Sequence, residues 1–140
     1  MAKPHEIIDA LTERLEDADF PVFQGLVLDP KVDSSQELPA VIIHQSKDGD
    51  GAIRTRPKLL REMGVIVECW IQTTSEKKAL SEILEYGEEV REAVAPFDSF
   101  DVPDTLSDIA NAVEFVSIVS YVQERNWAVA VITLKIQYGG

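Results

Sequence analysis

The last thirty residues of the chain limit its fold more than any other part. They read "NAVEFVSIVSYVQERNWAVAVITLKIQYGG", from Asn111 to Gly140, and contain two long stretches in which side chains fall into two alternating rows. This alternation is typical of β-strands, whose side chains point to opposite faces in turn. The turn-like "QERN" between the two stretches indicates an antiparallel hairpin. Any fold of this chain must therefore accommodate that hairpin.

The second strand of the hairpin is apolar on both faces near its start. One row begins with Trp127, Val129 and Val131 before it turns polar. The other row stays apolar throughout and consists of Ala128, Ala130, Ile132, Leu134, Ile136 and Tyr138. Helices on one side of a sheet can cover only one row, and each Val or Ile left in water forfeits roughly 1.5–3 kcal/mol of burial. We therefore expect Trp127, Val129 and Val131 to form an oligomer face, unless a loop such as residues 96–108 covers them.

The rest of the chain supplies two helices and three strands. Apolar residues at helical spacing predict a helix over residues 4–17 and a second one within residues 74–95, which Pro96 ends. Apolar runs predict strands over residues 22–28, 38–45 and 61–73. The stripe of the second helix expected to face the sheet, with Gly87 allowing a close approach, consists of Leu80, Ile83, Leu84, Gly87, Val90 and Val94.

This order of elements predicts an α+β fold. The arrangement is α-β-β-β-α-β-β, and its simplest packing is a largely antiparallel sheet of about five strands with the two main helices on one face. A chain of 140 residues without an internal repeat has the usual size of one domain. Residues 1–140 are therefore expected to form a single domain.

The composition excludes several classes of partner. The formal net charge is −12 at pH 7, which argues against general binding to nucleic acid or to an anionic membrane surface. Cys69 is the only cysteine, so no disulfide can form within the chain. No stretch approaches the ~20 apolar residues of a transmembrane helix. We expect a protein that is cytoplasmic where it is made and has no membrane contact.

Residues that could carry chemistry are few and scattered. His5 and His44 fall on different predicted elements, and Cys69 alternates with valines in a predicted strand, where an inert cysteine is expected. Asp48 and Asp50 in "DGDG" suggest calcium, but the further oxygen ligands and closing Glu of a calcium loop do not follow, so a turn is the better interpretation. No nucleophile-elbow or phosphate-loop motif occurs. We expect no catalytic, metal or cofactor site, and no enzyme.

One segment collects positive charge within this acidic chain. "KDGDGAIRTRPKLLRE", residues 47–62, reads as a loop between two strands and carries Lys47, Arg54, Arg56, Lys58 and Arg61. Such a segment can be a solvated hairpin tip. It can also be a charged arm that reaches an acidic neighbouring subunit, or that lines a passage for DNA. A basic arm and an acidic surface on different sides of one subunit suit a head-to-tail contact that closes into a ring.

The size, the order of elements, "LPAVIIHQ" and the closing "NWAVAVITLKIQYG" resemble the tail terminator proteins of long-tailed bacteriophages. The related minor tail and tail-completion proteins are similar. The resemblance covers nearly the whole chain and rests on pattern, because no short motif is diagnostic of the family. It therefore transfers no individual functional residue.

The resemblance implies a structural protein of a phage or prophage virion, present in the host cytoplasm during assembly. Such proteins form hexameric rings that cap the tail tube, end its polymerisation and present a surface to the head connector. The implied partners are other copies of the chain, the tail tube and head-connector proteins, with DNA only passing through the ring lumen. The alternatives are a small cytoplasmic ligand-binding or enzymatic α+β domain, or an adaptor at another neck or baseplate position.

Overall fold

The computed structural model of the chain describes residues 3–25, 38–54, 59–73, 75, 77–96, 104–123 and 127–139, with the side chains of 47–54 and 59–60 left out. Two helices span Pro4–Asp17 (α1) and Ala79–Val94 (α2). Five strands span Val22–Gln24 (β1), Ala40–Arg54 (β2), Leu59–Gln72 (β3), Ala112–Val122 (β4) and Trp127–Gly139 (β5).

The five strands form one sheet in the order β1-β2-β3-β5-β4. Three pairings are antiparallel, and the short β1 runs parallel to β2. The predicted α+β class, the order of elements and the terminal hairpin are thereby confirmed. The predicted strand 22–28 ends earlier, at Gln24, because Gly25 is a bend with a φ angle of 71°, and residues 26–28 lie outside the described residues.

Both helices pack on the same face of the sheet, as predicted. Ile7, Leu11 and Leu15 of α1 are buried, and so are Ile83 and Val90 of α2. They join one cluster with the inward rows of β2, β3 and β5. The β5 part of this cluster is the uninterrupted apolar row predicted from the sequence, namely Ala128, Ala130, Ile132, Leu134, Ile136 and Tyr138.

Gly87 lets α2 approach the sheet closely. A Cβ atom at Gly87 would lie 2.9 Å from Cβ of Ala130 and 3.1 Å from Cδ1 of Ile118. Carbon atoms in contact are normally at least about 3.5 Å apart. The glycine therefore sets the distance between the helix and the two strands of the terminal hairpin.

The inward stripe of α2 differs from the predicted one at two positions. Ala79, Ile83, Gly87, Val90 and Val94 are buried, whereas Leu80 and Leu84 are 50% and 52% exposed. The stripe centred on Gly87 leaves both leucines on one flank of the helix, because they lie next to the buried positions and not among them. The prediction that Leu80 and Leu84 face the sheet was wrong.

The segment assigned to a basic loop is mostly strand. β2 continues to Arg54 and β3 begins at Leu59, so Lys47 and Arg54 lie in β2 and Arg61 lies in β3. A bulge makes this possible: residues 46–49 of β2 lie opposite Gly64 alone, and pairing resumes at Asp50 with Met63. The glycines that suggested a loop are thus absorbed within a longer hairpin. Residues 55–58, including Arg56 and Lys58, lie outside the described residues.

Candidate functional site

Exposed apolar side chains gather along one edge of the molecule. Of the large hydrophobic residues exposed in the described part of the chain, Phe23 is on β1 and all the others lie on β4 or on α2. We call this group the β4-edge surface, and it consists of Leu80, Leu84, Val116, Val119, Tyr121 and Val122. Val119 is the most exposed of them at 58%. Large contiguous apolar patches of this kind mark interaction sites on soluble proteins.

Contacts of Arg91 show that the exposed flank of α2 faces β4. The guanidinium carbon of Arg91 lies 5.6 Å from the ring centroid of Phe115 on β4. Leu84 and Leu80 precede Arg91 by seven and eleven residues, which is close to two and three helical turns. The two leucines therefore share the side of α2 that carries Arg91, above the same edge strand.

The strand register places β4-edge side chains on both faces of the sheet. Val119 and Tyr121 lie opposite Val131 and Val129 of β5, on the face away from the helices. Val122 pairs with Ala128 and therefore points to the helix face. The surface consequently wraps around the edge strand, from the outer face of the sheet to the flank of α2.

The sheet ends at β4, and the sequence of this strand does little to discourage further pairing. Edge strands usually carry lysine, proline or a bulge that prevents another strand from adding. β4 reads "AVEFVSIVSYV", which contains Glu114 but no lysine, arginine or proline. A bulge at Val116 interrupts its pairing with β5, and the register is regular from Ser117 to Val122. This regular half is the part of the edge best suited to accept a strand.

The three residues predicted as an oligomer face are mostly covered within the chain. Trp127 and Val129 are buried and Val131 is half-buried. On the outer face they join a small second cluster in which the rings of Trp127 and Trp70 meet edge to face, with centroids 6.0 Å apart. Because these side chains cover one another, the exposed apolar surface begins one strand further out, at β4. A role for the three residues in oligomerisation stays a prediction.

In the described part of residues 96–108, the loop does not cover the outer face of the sheet. Leu106 is buried in the main cluster on the helix face. Asp104 accepts two hydrogen bonds of 2.5 Å from the guanidinium of Arg14 on α1, which also donates to the carbonyl oxygen of Val94 at 3.0 Å. This part of the loop therefore holds the two helices together on the other side of the sheet.

The basic residues are distributed over two strands and the residues between them. Arg61 is half-buried on the helix face of β3, with its guanidinium carbon 5.7 Å from the ring centroid of Tyr138. Arg61 therefore contributes a cation–π contact to the fold. Lys47 and Arg54 are described only as members of β2. The structure does not test whether these residues contact a partner.

Groups that could carry chemistry do not converge in the described residues. His5 is exposed on α1, whereas Nε2 of His44 lies 2.7 Å from a carboxylate oxygen of Glu68 on the outer face of the sheet. Cys69 is buried, and burial is the main cause that raises the pKa of its thiol far above the ordinary value. No group of three metal-ligating side chains occurs within the part of the chain that is described.

One small cavity lies beside the Arg14–Asp104 pair. Its volume is about 180 Å³, and its lining includes Arg14, Glu13 and Ser107. The backbone at Leu106, Ser107 and Asp108 has positive φ angles of 50°, 57° and 71°. Since Arg14 is already bound to Asp104 and Val94, the cavity presents no uncommitted cation to a ligand.

Among the comparisons with known proteins, only the comparison of structures found a similarity. The chain is similar to a chain of a solved structure described as "Virion of native gene transfer agent (GTA) particle", with a TM-score of 0.48 and 7% sequence identity. The similarity covers 96% of this chain and 92% of the other. No protein-family model matches the sequence, and no curated protein matches it. A likeness this distant does not carry a role from one chain to the other.

No helix in the described residues is long and apolar enough to cross a membrane.

The signals for the β4-edge surface were present in the sequence but were assigned differently. The alternation of Val119 and Tyr121 with Ile118 and Ser120 marked β4 as apolar on both faces, just as it did β5. What the sequence lacked was the strand order, which puts β5 inside the sheet and β4 at its edge.

Proposed function

We propose that this protein is a non-enzymatic structural subunit of a phage or prophage tail. In this role it is a tail terminator or related minor tail protein. Copies of the chain form a ring, of six subunits by resemblance to the family, which caps the tail tube and ends its polymerisation. The ring then offers its other side to the head-connector proteins, and DNA passes through its lumen.

The observation that carries this proposal is the β4-edge surface. A subunit whose only task is assembly needs a surface that is unsatisfied until a neighbour arrives. Val119, Tyr121, Leu80 and Leu84 provide such a surface, since each is about half exposed in the isolated chain. Covering one aliphatic side chain of this size contributes roughly 1.5–3 kcal/mol when burial is complete. The resemblance of the sequence to tail terminators supplies the particle in which the neighbour is found.

The basic segment supplies the second contact that a ring needs. A head-to-tail ring uses two different patches on each subunit. Lys47 and Arg54 lie in β2, which the strand order separates from β4 by β3 and β5, and Arg56 and Lys58 follow Arg54 in the sequence. An acidic neighbouring surface or the DNA in the lumen would attract this segment. Arg61 is a weaker candidate for such a contact because it packs over Tyr138.

Electron microscopy of the purified protein tests the proposal. We expect ring-shaped caps at the ends of tail tubes assembled from the tube protein of the same phage or prophage. The test variant is Val119→Asp, which places a charge at the most exposed residue of the β4-edge surface. It should leave the circular dichroism spectrum unchanged and remove the caps. The proposal would be contradicted if tubes remained uncapped and grew to the same length in the presence of the wild-type protein as in its absence.

A further inference from the structure

The flank of α2 above β4 carries a stripe whose two ends have opposite charges. Its members are Lys77, Leu80, Leu84 and Glu88, and all are exposed. Lys77 and Glu88 are eleven residues apart, close to three helical turns, so they share the side of the two leucines. Lys77 lies in the turn before α2, where Lys78 has right-handed helical backbone angles and donates from its N–H to the carbonyl oxygen of Ser75. Nε of Arg91, on the same side of α2, donates a hydrogen bond of 2.7 Å to a carboxylate oxygen of Glu88. A cation thus lies at one end of the stripe, an anion that also bonds Arg91 lies at the other, and two leucines lie between them.

Such a stripe is complementary to itself when two copies run antiparallel. The midpoint of Lys77 and Glu88 falls between residues 82 and 83, and the midpoint of Leu80 and Leu84 falls at residue 82. A two-fold axis at this point places Lys77 opposite Glu88 of the partner subunit and Leu80 opposite Leu84 of the partner subunit. Opposite charges and apolar side chains then meet their complements twice in one contact.

The edge strand below the stripe fits the same axis. Gly87 lies over Ile118 and Ala130, and α2 runs antiparallel to β4, because Arg91 lies over Phe115. The midpoint of the stripe lies about 7 Å from Gly87 along the helix, which corresponds to about two residues of a strand. This places the axis level with Ser120. Ser120 lies within the regular part of β4, from Ser117 to Val122, which follows the bulge at Val116.

From these observations we propose that the free protein is a two-fold dimer in which β4 pairs antiparallel with β4 of a second copy and the α2 stripes pack side by side. The two five-stranded sheets become one continuous sheet. The contact buries Leu80, Leu84 and Val122 on the helix side and brings Val119 and Tyr121 of both copies together on the outer face. The occupant of the β4-edge surface in solution is thus a second copy of this chain.

This inference does not depend on the proposed function. A two-fold contact closes after two copies, because it uses the same patch on both, and it cannot by itself produce a ring. The dimer and a ring that uses the β4 edge therefore exclude each other. Taken together with the proposed function, the dimer would be the form of the protein before assembly.

Sedimentation equilibrium of the full-length protein, with light scattering as a second measurement, tests the dimer. We expect a dimer at micromolar concentration for the wild type. Lys77→Glu alone or Glu88→Lys alone turns two attractions into two repulsions, and each should raise the dissociation constant about 10-fold to 100-fold. The matched control is Glu89→Lys, which makes the same charge change on the far flank of α2 and should leave the dissociation constant unchanged.

Exchanging the charges of Lys77 and Glu88 distinguishes the two-fold contact from a contact of the stripe with a different surface. The double variant Lys77→Glu with Glu88→Lys reverses both ends and should dimerise more tightly than either single variant, although less tightly than the wild type, because Glu88→Lys also removes the carboxylate that bonds Arg91. An equimolar mixture of the two single variants should form heterodimers, because each chain then faces its opposite at both ends. If the double variant stays as weak as the single ones, the stripe faces a different surface and the proposal is wrong.

Leu80→Asp with Leu84→Asp gives the corresponding test of the apolar part. Both side chains are exposed in the single chain, so the variant should keep its fold by circular dichroism. It should be monomeric at every concentration at which the wild type is a dimer. A wild type that is monomeric at about 100 μM, a concentration at which even weak specific contacts form, would overturn the proposal.

Discussion

The close approach of α2 to the sheet predicts an unusual effect for Gly87→Ala. In the interior of a helix, alanine is favoured over glycine by about 1 kcal/mol. Here the new Cβ would lie 2.9 Å from Cβ of Ala130, which is carried by an inner strand buried on both faces and cannot retreat. Overpacking of this kind costs about 1–3 kcal/mol before any gain in propensity is subtracted. Ile118, at 3.1 Å, is a smaller obstacle, because only its terminal methyl is involved.

Subtracting the propensity gain leaves a net loss of stability for Gly87→Ala of up to about 2 kcal/mol, or up to about 8 °C in melting temperature. Urea unfolding followed by circular dichroism measures the free energy of unfolding. Ala130→Gly removes the obstructing methyl, so in a double-mutant cycle the combined loss should be smaller than the two single losses together by about 1 kcal/mol or more. Glu85→Ala, on the exposed side of α2, is the control and should change stability by less than about 0.5 kcal/mol. A Gly87→Ala variant that is more stable than the wild type would refute the close approach.

Three further variants test other parts of the structure. Asp104→Asn keeps the shape of a side chain that is 3% exposed but loses one of its two bonds to Arg14. Thermal unfolding should show that the free energy of unfolding falls by about 2–3 kcal/mol. An unchanged melting temperature would mean that the pair does not hold the helices together. Burial, and to a lesser extent the neighbouring Cys69 and Glu89, raise the pKa of Tyr86 to about 12. The neutral phenol therefore contributes stability that is complete below the unfolded pKa of about 10 and is lost as pH rises towards 12. Tyr86→Phe should therefore reduce the fall in unfolding free energy between pH 9 and pH 11, and an identical alkaline profile would contradict the burial of this group. Arg54→Glu with Arg56→Glu should leave the melting temperature unchanged and weaken the capping of tail tubes; full capping by that variant would exclude the charged segment from assembly.

Most of the fold could be predicted from the spacing of apolar residues along the sequence. The terminal hairpin was predictable because two long stretches of period two were separated by four turn-forming residues, and α1 because three buried residues recur at helical spacing. The length of β2 was not predictable, since glycines at 49 and 51 indicate a loop unless the partner strand is known. In the structure a four-residue bulge opposite Gly64 absorbs this irregularity, and Gly64 makes room for Ser46.

The candidate surface was predictable in kind but not in place. The excess of apolar side chains in the terminal hairpin correctly indicated that one sheet face would be incompletely covered by helices. The sequence did not indicate that Trp127 and Val129 would be covered by Ile42 and Trp70, because those residues come from strands far away in the chain. Leu80 and Leu84 were assigned to the core because leucines in an amphipathic helix usually face inward. Only the position of Gly87 against Ala130 fixes the rotation of α2 and leaves them outside.

The arrangement of charge on α2 also explains why the β4 edge can remain unprotected. A long apolar edge strand without lysine or proline normally invites indiscriminate pairing. In the proposed dimer the stripe above that edge favours one register, because a shift by one helical turn would place Leu80 opposite Glu88 of the partner subunit and Lys77 opposite Arg91 of the partner subunit. The two-fold contact thus satisfies the edge with a specific partner, the chain itself. A tail cap needs two different faces, one for the tube and one for the head, whereas a two-fold dimer presents equal ones. The two proposals together therefore require that the dimer opens before capping, and that the tube end binds the β4 edge more tightly than a second free copy does.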